Sequence, residues 1–283
     1  MSFYIIKTSG EKEKFNLKKL RRSLKESGAP QKLIENIVKE IKKVKPKSTK
    51  ALHAHVARML KKERAPFAAR YNLKRAIMDL GPAGYLFEQF IAQLFKRQGY
   101  RVQTNEYVQG KCVSHEVDVV AQKNKEHFII ECKFHSRLGL KSDVKIPLYV
   151  KARFDDINAQ KKRELRHAQQ FYEAYIVTNT KFTSQAIQYA QCVGIKLLGW
   201  DYPSEKKALP HLVDEFELHP ITALTTLTKQ QKRNLIHEGI ILCQQAPQAK
   251  KLLAKFGMGP RRIEKVMQES RAICEIGVKK TKT

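Results

Sequence analysis

The chain is poor in everything that would tie it to an oxidising compartment or to a membrane. Its five cysteines (Cys112, Cys132, Cys192, Cys243, Cys274) are scattered through 283 residues with no CxxC pair. An odd, dispersed set supports neither a disulfide framework nor a structural zinc site, so a reducing cytoplasm is the expected location. No apolar run approaches the roughly 18–20 residues that span a bilayer. Met1 to Lys14 lacks the apolar core of a signal peptide, and no membrane partner is expected. Gly/Ser linkers, low-complexity tracts and convincing repeats are missing as well, so domain boundaries must come from changes of pattern. Acidic residues are scarce: 27 Asp/Glu face 55 Lys/Arg, a net charge of +28 and a pI near 9.9. Such a field favours a polyanionic partner, and with membranes set aside that is nucleic acid.

Three patterns follow one another. The first 80 residues hold 22 Lys/Arg and 7 Asp/Glu, so +15 of the net charge sits there. Phe3–Lys7 reads as a strand and Ser9-Gly10 as a turn. Leu17, Leu20 and Leu24 then mark a first helix face, and Ile34, Ile37, Val38, Ile41 and Val44 a second. Gly28 and Pro30 separate these helices, and Pro46 with Ser48 ends the second and caps a third carried by Leu52, Val56, Met59 and Leu60. Ala68 to Leu80 gives a fourth. From residue 82 the pattern changes to an apolar helix (Tyr85 to Phe95), strands at Tyr100–Tyr107, Cys112–Ala121 and His127–Phe134, and a charged helical stretch (Val144–Tyr172). A strand, Ala174–Thr178, a helix, Thr183–Val193, and a last strand, Ile195–Leu198, follow. That order predicts an α/β sandwich with a mixed sheet. Residues 220–277 read as short helices broken by Pro220, Gly239, Pro247 and Gly257-Met258-Gly259-Pro260. The expected division is therefore 1–81, 82–204 and 205–283.

The chemistry concentrates in Glu116-Val-Asp118-Val-Val-Ala-Gln-Lys-Asn-Lys-Glu-His-Phe-Ile-Ile-Glu131-Cys-Lys133. Two apolar strands flank a polar turn containing Asn124, a residue that tolerates left-handed backbone. Alternation puts Glu131 and Lys133 on one face. With Lys123–Glu126 as the loop, Gln122 pairs with His127, and counting back sets Asp118 opposite Glu131. Opposed carboxylates repel unless a cation lies between them. Asp118 and Glu131, with the carbonyl of Cys132, then suit Mg²⁺ or Mn²⁺, and Lys133 suits an attacking water or a phosphate charge. A D…ExK spacing also arises by chance, and a Glu–Lys pair on a strand is commonly a solvated face. Two features set this one apart. Both acids lie in runs apolar enough to be buried on both faces, where a carboxylate needs a partner. And Glu88 is a lone acid on an otherwise greasy helix.

The order GYLFEQFIAQLFKRQGYRV…HEVDVV…HFIIECKFH is similar to the Mrr-like branch of the restriction-endonuclease-like superfamily. YIVTNTKFTSQAIQYAQCVGIKLLGW looks like that family's closing strand–helix–strand unit. The resemblance covers residues 82–202 and implies a PD-(D/E)xK nuclease core with Glu88, Asp118, Glu131 and Lys133 at its motif positions. His135, in E-C-K-x-H, becomes a candidate DNA contact, and Gln169 and Gln170 fall where related nucleases carry a glutamine.

The flanks resemble other modules. Ile5-Ile6-Lys7…Gly10…Phe15-Asn16-Leu17-Lys18-Lys19-Leu20, with Ala69-Arg70-Tyr71…Arg75-Ala76, resembles an ATP-cone, a regulatory nucleotide-binding domain. The family's K-R-x-G stands here as Lys7-Thr8-Ser9-Gly10, without its arginine. The resemblance implies ATP or dATP as an effector, held at Lys7, Gly10 and Lys19; the alternative is a helical domain whose charge simply meets DNA. Phe256-Gly257-Met258-Gly259-Pro260-Arg261-Arg262-Ile263 resembles a helix-hairpin-helix, in which Gly257 and Gly259 offer backbone N–H groups to phosphate and Arg261 and Arg262 add charge. A plain glycine C-cap followed by Pro at the first helical position would leave the same sequence. The expectation is a metal-dependent DNA endonuclease with an α/β core between a helical ATP-cone-like domain and a small all-α domain, with a homodimer expected for cutting both strands. The rivals are a non-catalytic, nucleotide-responsive DNA-binding regulator and a nuclease acting on branched DNA.

Overall fold

The computed structural model describes residues 3–7, 10–164 and 172–278. The chain divides into two compact units, one built from residues 1–79 together with 219–283, the other from residues 80–218.

The first unit begins with a short antiparallel hairpin, β1 (Tyr4–Ile6) and β2 (Lys12–Lys14), and continues as α1 (Leu17–Glu26), α2 (Gln31–Val44), α3 (Thr49–Glu63), α4 (Ala65–Tyr71) and α5 (Leu73–Met78). The breaks are those that local chemistry sets. Asn16 caps α1 by accepting from the N–H of Lys19 at 3.0 Å, Lys45 closes α2 in a left-handed conformation (φ 46°), and Ser48 caps α3 by accepting from Ala51. The predicted apolar faces converge: Leu20, Leu24, Ile34, Ile37, Val38, Ile41, Val56 and Leu60 form one core. Thr8 and Ser9, within the expected turn, lie outside the described residues.

The second unit is α6 (Tyr85–Arg97), β3 (Arg101–Gln109), β4 (Ser114–Lys123), β5 (Glu126–Lys133), β6 (Lys141–Ser142), α7 (Lys145–Glu164), β7 (Glu173–Thr178), β8 (Lys181–Phe182), α8 (Ser184–Cys192), β9 (Lys196–Leu198) and α9 (Leu209–Glu215). The five-stranded sheet has the order β3-β4-β5-β7-β9, antiparallel through β3, β4 and β5 and parallel from β5 to β7 to β9. It is the mixed α/β sheet that the pattern predicts. Helix α6 buries Phe87, Phe90, Ile91 and Leu94. On α7, Val150, Phe154 and Ile157 pack into apolar clusters. Gln169 and Gln170 lie outside the described residues, as does the end of the helix expected over Val144–Tyr172.

The chain then returns to the first unit as α10 (Lys229–His237), α11 (Lys250–Lys255) and α12 (Pro260–Val278), with two 3₁₀ turns. These pieces share a core with Ala69 of α4 and Ala76 of α5, through Ile221, Leu224, Leu235, Leu253, Val266 and Ile273. Thr222 Oγ1 also donates to the carbonyl of Ala76. The first and last segments of the sequence thus belong to one unit, joined through the core that α4 and α5 share with α10, α11 and α12. Among the described residues, no helix is long and apolar enough to cross a membrane.

Candidate active site

The β4–β5 hairpin turns at Asn124, whose φ of 52° is the left-handed conformation the turn requires. Its ladder runs from Lys123↔Glu126 through Gln122↔His127 to Val119↔Ile130. Counting alone would make Asp118↔Glu131 the next pair, but the ladder ends one residue short. Asp118 instead accepts the backbone N–H of Cys132 on its Oδ2 at 2.7 Å. Val117, Ile129 and Ile157 form an apolar cluster beside it, with Val120 packed against that cluster. Across from Asp118, Asn105 has a φ of 55° between the pairs Thr104↔Val119 and Glu106↔Val117. The β3–β4 register is the same on either side of Asn105, so the left-handed residue interrupts the ladder without shifting it.

Glu131 lies on β5. Its Oε2 accepts from Nη1 of Arg153, on α7, at 2.7 Å. The end of β5 is pinned to β7. Thr178 Oγ1 donates to the carbonyl of Lys133 at 2.8 Å, and Asn179 exchanges two hydrogen bonds with the backbone of His135 at 2.8 and 2.9 Å. Thr178 and Asn179 are fully buried.

The electrostatics tie four acids together. Burial raises the pKa of Asp118, with Glu116 adding to the rise and the Cys132 N–H, Arg153 and Lys133 opposing it. Burial and then Asp118 raise Glu131, again against Arg153 and Lys133. Glu88, reaching from α6, is pushed up to about 7, first by burial and then by Asp118, Glu131 and Glu116. The structure therefore brings Glu88, Asp118, Glu131 and Lys133 into one electrostatic neighbourhood. Acids that raise one another in this way fit a hard divalent cation with oxygen ligands, which removes the cost of holding them together. Yet among the described residues no three Asp, Glu, His or Cys side chains converge closely enough to hold a metal ion. Glu131 is turned to Arg153.

Other sequence candidates fare differently. His135 is half-buried, and its Nε2 is hydrogen-bonded to Ser142 Oγ at 3.0 Å, an internal partner where a DNA contact was expected. Burial, then Lys133, lowers its pKa. Lys7 forms ion pairs with Glu11 at 3.3 Å and Glu13 at 3.1 Å. Gly10 is left-handed (φ 87°) and Lys19 is exposed. Gly257 (φ 78°), Gly259, Arg261 and Arg262 are exposed around the buried Met258, with Arg262 Nη2 also donating to the Thr226 carbonyl at 3.1 Å.

Sequence reasoning missed the α7 residues. Arg153 reads as one charge among many on a polar helix. So does Asp156, whose carboxylate accepts from the N–H groups of Cys112 (2.9 Å) and Val113 (3.3 Å) and pairs with His115 Nε2 at 2.8 Å. Their i, i+3 spacing on one helix face was the available signal.

Comparison with known proteins adds the lineage. A family model described as "Restriction endonuclease", of the Mrr catalytic type, matches residues 83–201, and one described as "AF1548-like, C-terminal" matches residues 219–274. An uncharacterized protein of Archaeoglobus fulgidus is 36% identical over 184 residues, which are 65% of this chain and 99% of that protein. A crystal structure of a protein of unknown function, AF1548, is 34% identical, covers 68% of this chain and 99% of its own, and superposes with a TM-score of 0.54.

Proposed function

Because this chain belongs to the AF1548-like family and carries a restriction endonuclease domain over residues 83–201, we propose that it is a metal-dependent DNA endonuclease. The observation that carries the reading is the half-buried acid cluster of Glu88, Asp118 and Glu131 beside Lys133. Asp118 and Glu131, with the Cys132 carbonyl, would hold Mg²⁺ or Mn²⁺. When bound, the ion would supply polarisation of the scissile phosphate and a bound water of lowered pKa. The Cys132 N–H fixes the Asp118 carboxylate. Glu88 accepts or shares a proton at neutral pH, as a group titrating at about 7 can. Lys133 orients the attacking water or meets charge on the phosphate.

DNA as the substrate is supported by the division of charge. Residues 1–79 with 219–283 hold 35 Lys/Arg and 11 Asp/Glu, whereas residues 80–218 hold 20 and 16. In this reading the basic unit grips the phosphate backbone, with Gly257, Gly259, Arg261 and Arg262 at an exposed turn, and the nearly balanced unit cuts. ATP or dATP as an effector of the N-terminal segment rests on its hairpin-and-helices order and on Gly10 and Lys19. A triphosphate there would have to compete with Glu11 and Glu13 for Lys7. A homodimer would supply a second active site for the second strand.

The test is nicking and linearisation of supercoiled plasmid, methylated and unmethylated, in Mg²⁺ or Mn²⁺, with and without ATP or dATP. Wild type should cut. Asp118→Ala and Lys133→Ala should each lose about 100-fold or more in rate while still retarding DNA. A wild type that binds every plasmid and cuts none would leave the regulator reading in its place.

A further inference from the structure

We propose that Arg153 is the resident counter-ion of Glu131, standing where a metal ion would bind, and that it passes to a substrate phosphate when metal loads. The inference rests on the metal-nuclease reading above. It starts from the ion pair of 2.7 Å between two side chains only 16% and 23% exposed. A guanidinium stays protonated at any working pH, so it cannot release a carboxylate by losing charge. It can only move. Arg153 is paired with Glu131 and lines the same cavity as Asp118, so a single positive charge faces both carboxylates. A divalent ion satisfies the cluster better than Arg153 does, so the two compete for the same oxygen.

The surroundings leave Arg153 somewhere to go. It lines a polar cavity of about 260 Å³ with Ser114, His115, Glu116, Asp118 and Tyr149. Its guanidinium lies 5.2 Å from the centre of the Tyr149 ring, one helical turn back on α7. The helix itself is tethered at the next turn by Asp156, which binds Cys112, Val113 and His115. Release from Glu131 is therefore a side-chain rotation that keeps the charge on the cavity beside Asp118. A planar guanidinium there matches the paired oxygens of a phosphate diester.

The experiment uses full-length protein, freed of metal with EDTA and dialysed, as wild type, Arg153→Ala, Arg153→Lys and Glu131→Gln. Mn²⁺ binding is measured by calorimetry, and binding of a short labelled duplex, with Ca²⁺ as the bound ion, by anisotropy. Thermal melting identifies the folded variants. Arg153→Ala should bind Mn²⁺ about tenfold more tightly, or about 1.4 kcal/mol, and bind the duplex at least about threefold more weakly. Arg153→Lys, keeping the charge without the planar fork, should fall between. Unchanged or weaker Mn²⁺ binding in the folded Arg153 variants overturns the place-holder role. Tighter Mn²⁺ binding with unchanged duplex affinity overturns the transfer to phosphate. Mn²⁺ binding that is missing in wild type, or that survives Glu131→Gln unchanged, overturns the metal-nuclease reading itself.

Discussion

Glu88 is where a single residue makes the account measurable. Its carboxyl titrates near the ordinary 4.5 in the unfolded chain and at about 7 in the folded protein. Between those values the folded state holds more protons. The contribution to stability is then complete below about pH 4.5 and is lost as pH rises through about 7. Urea denaturation of metal-free protein across that window should show stability falling with pH. Glu88→Gln should remove its part of the slope, and an unchanged slope would mean that Glu88 is not held as described. Asp118 shows how far single residues were legible beforehand. The hairpin register could be counted from the sequence because alternation and a tolerant Asn124 fix it, and it holds to Val119↔Ile130. The count fails at Asp118, where the β4–β5 ladder has ended and the carboxylate accepts the Cys132 N–H. A side chain that accepts from the backbone of the neighbouring strand leaves no periodic trace in the sequence. Arg153 was missed for a related reason: its ion pair between α7 and β5 joins residues 22 apart, and the spacing along α7 does not name that partner.

Among the elements, those with buried apolar sets were the most legible, since α2 and α6 carry apolar residues at helical spacing and β4 and β5 carry short apolar runs. What was not legible is how loops lock elements together. At Gly110, before β4, an added Cβ would lie 2.0 Å from Asp156 Oδ2 and 2.7 Å from the Val113 carbonyl. Gly110→Ala should therefore push the β3–β4 loop off α7 and destabilise the protein by about 1–3 kcal/mol, read from its denaturation midpoint. A fully stable Gly110→Ala would show that the loop adapts freely. In the other unit, Glu269 on α12 is 5% exposed and accepts from the N–H and hydroxyl of both Thr225 and Thr226 at 2.6–2.9 Å. Glu269→Ala leaves those donors without an acceptor and should cost about 3 kcal/mol. The same midpoint measurement checks it, and a loss below about 1 kcal/mol would contradict the structural role.

At the scale of the whole molecule, the charge reading and the fold reading meet. Composition gave a basic protein, but its two ends read as separate segments because the shared core of α4, α5, α10, α11 and α12 joins residues about 150 or more positions apart. Only in three dimensions do 35 of the 55 Lys/Arg fall into one unit. Binding driven by that unit should be salt-sensitive. Between 50 and 200 mM salt, duplex affinity should fall on the order of 100-fold, the slope expected for about four neutralised phosphates. An affinity indifferent to salt would argue for a partner other than a polyanion. The most direct test of the central claim is the initial rate of plasmid cleavage titrated with Mg²⁺ after EDTA treatment, with Glu131→Gln in parallel. The account predicts no cutting without metal, a saturable rise with Mg²⁺ in wild type, and a rate lower by about 100-fold or more in the variant. Cutting that proceeds in EDTA, or that Glu131→Gln leaves untouched, would contradict it.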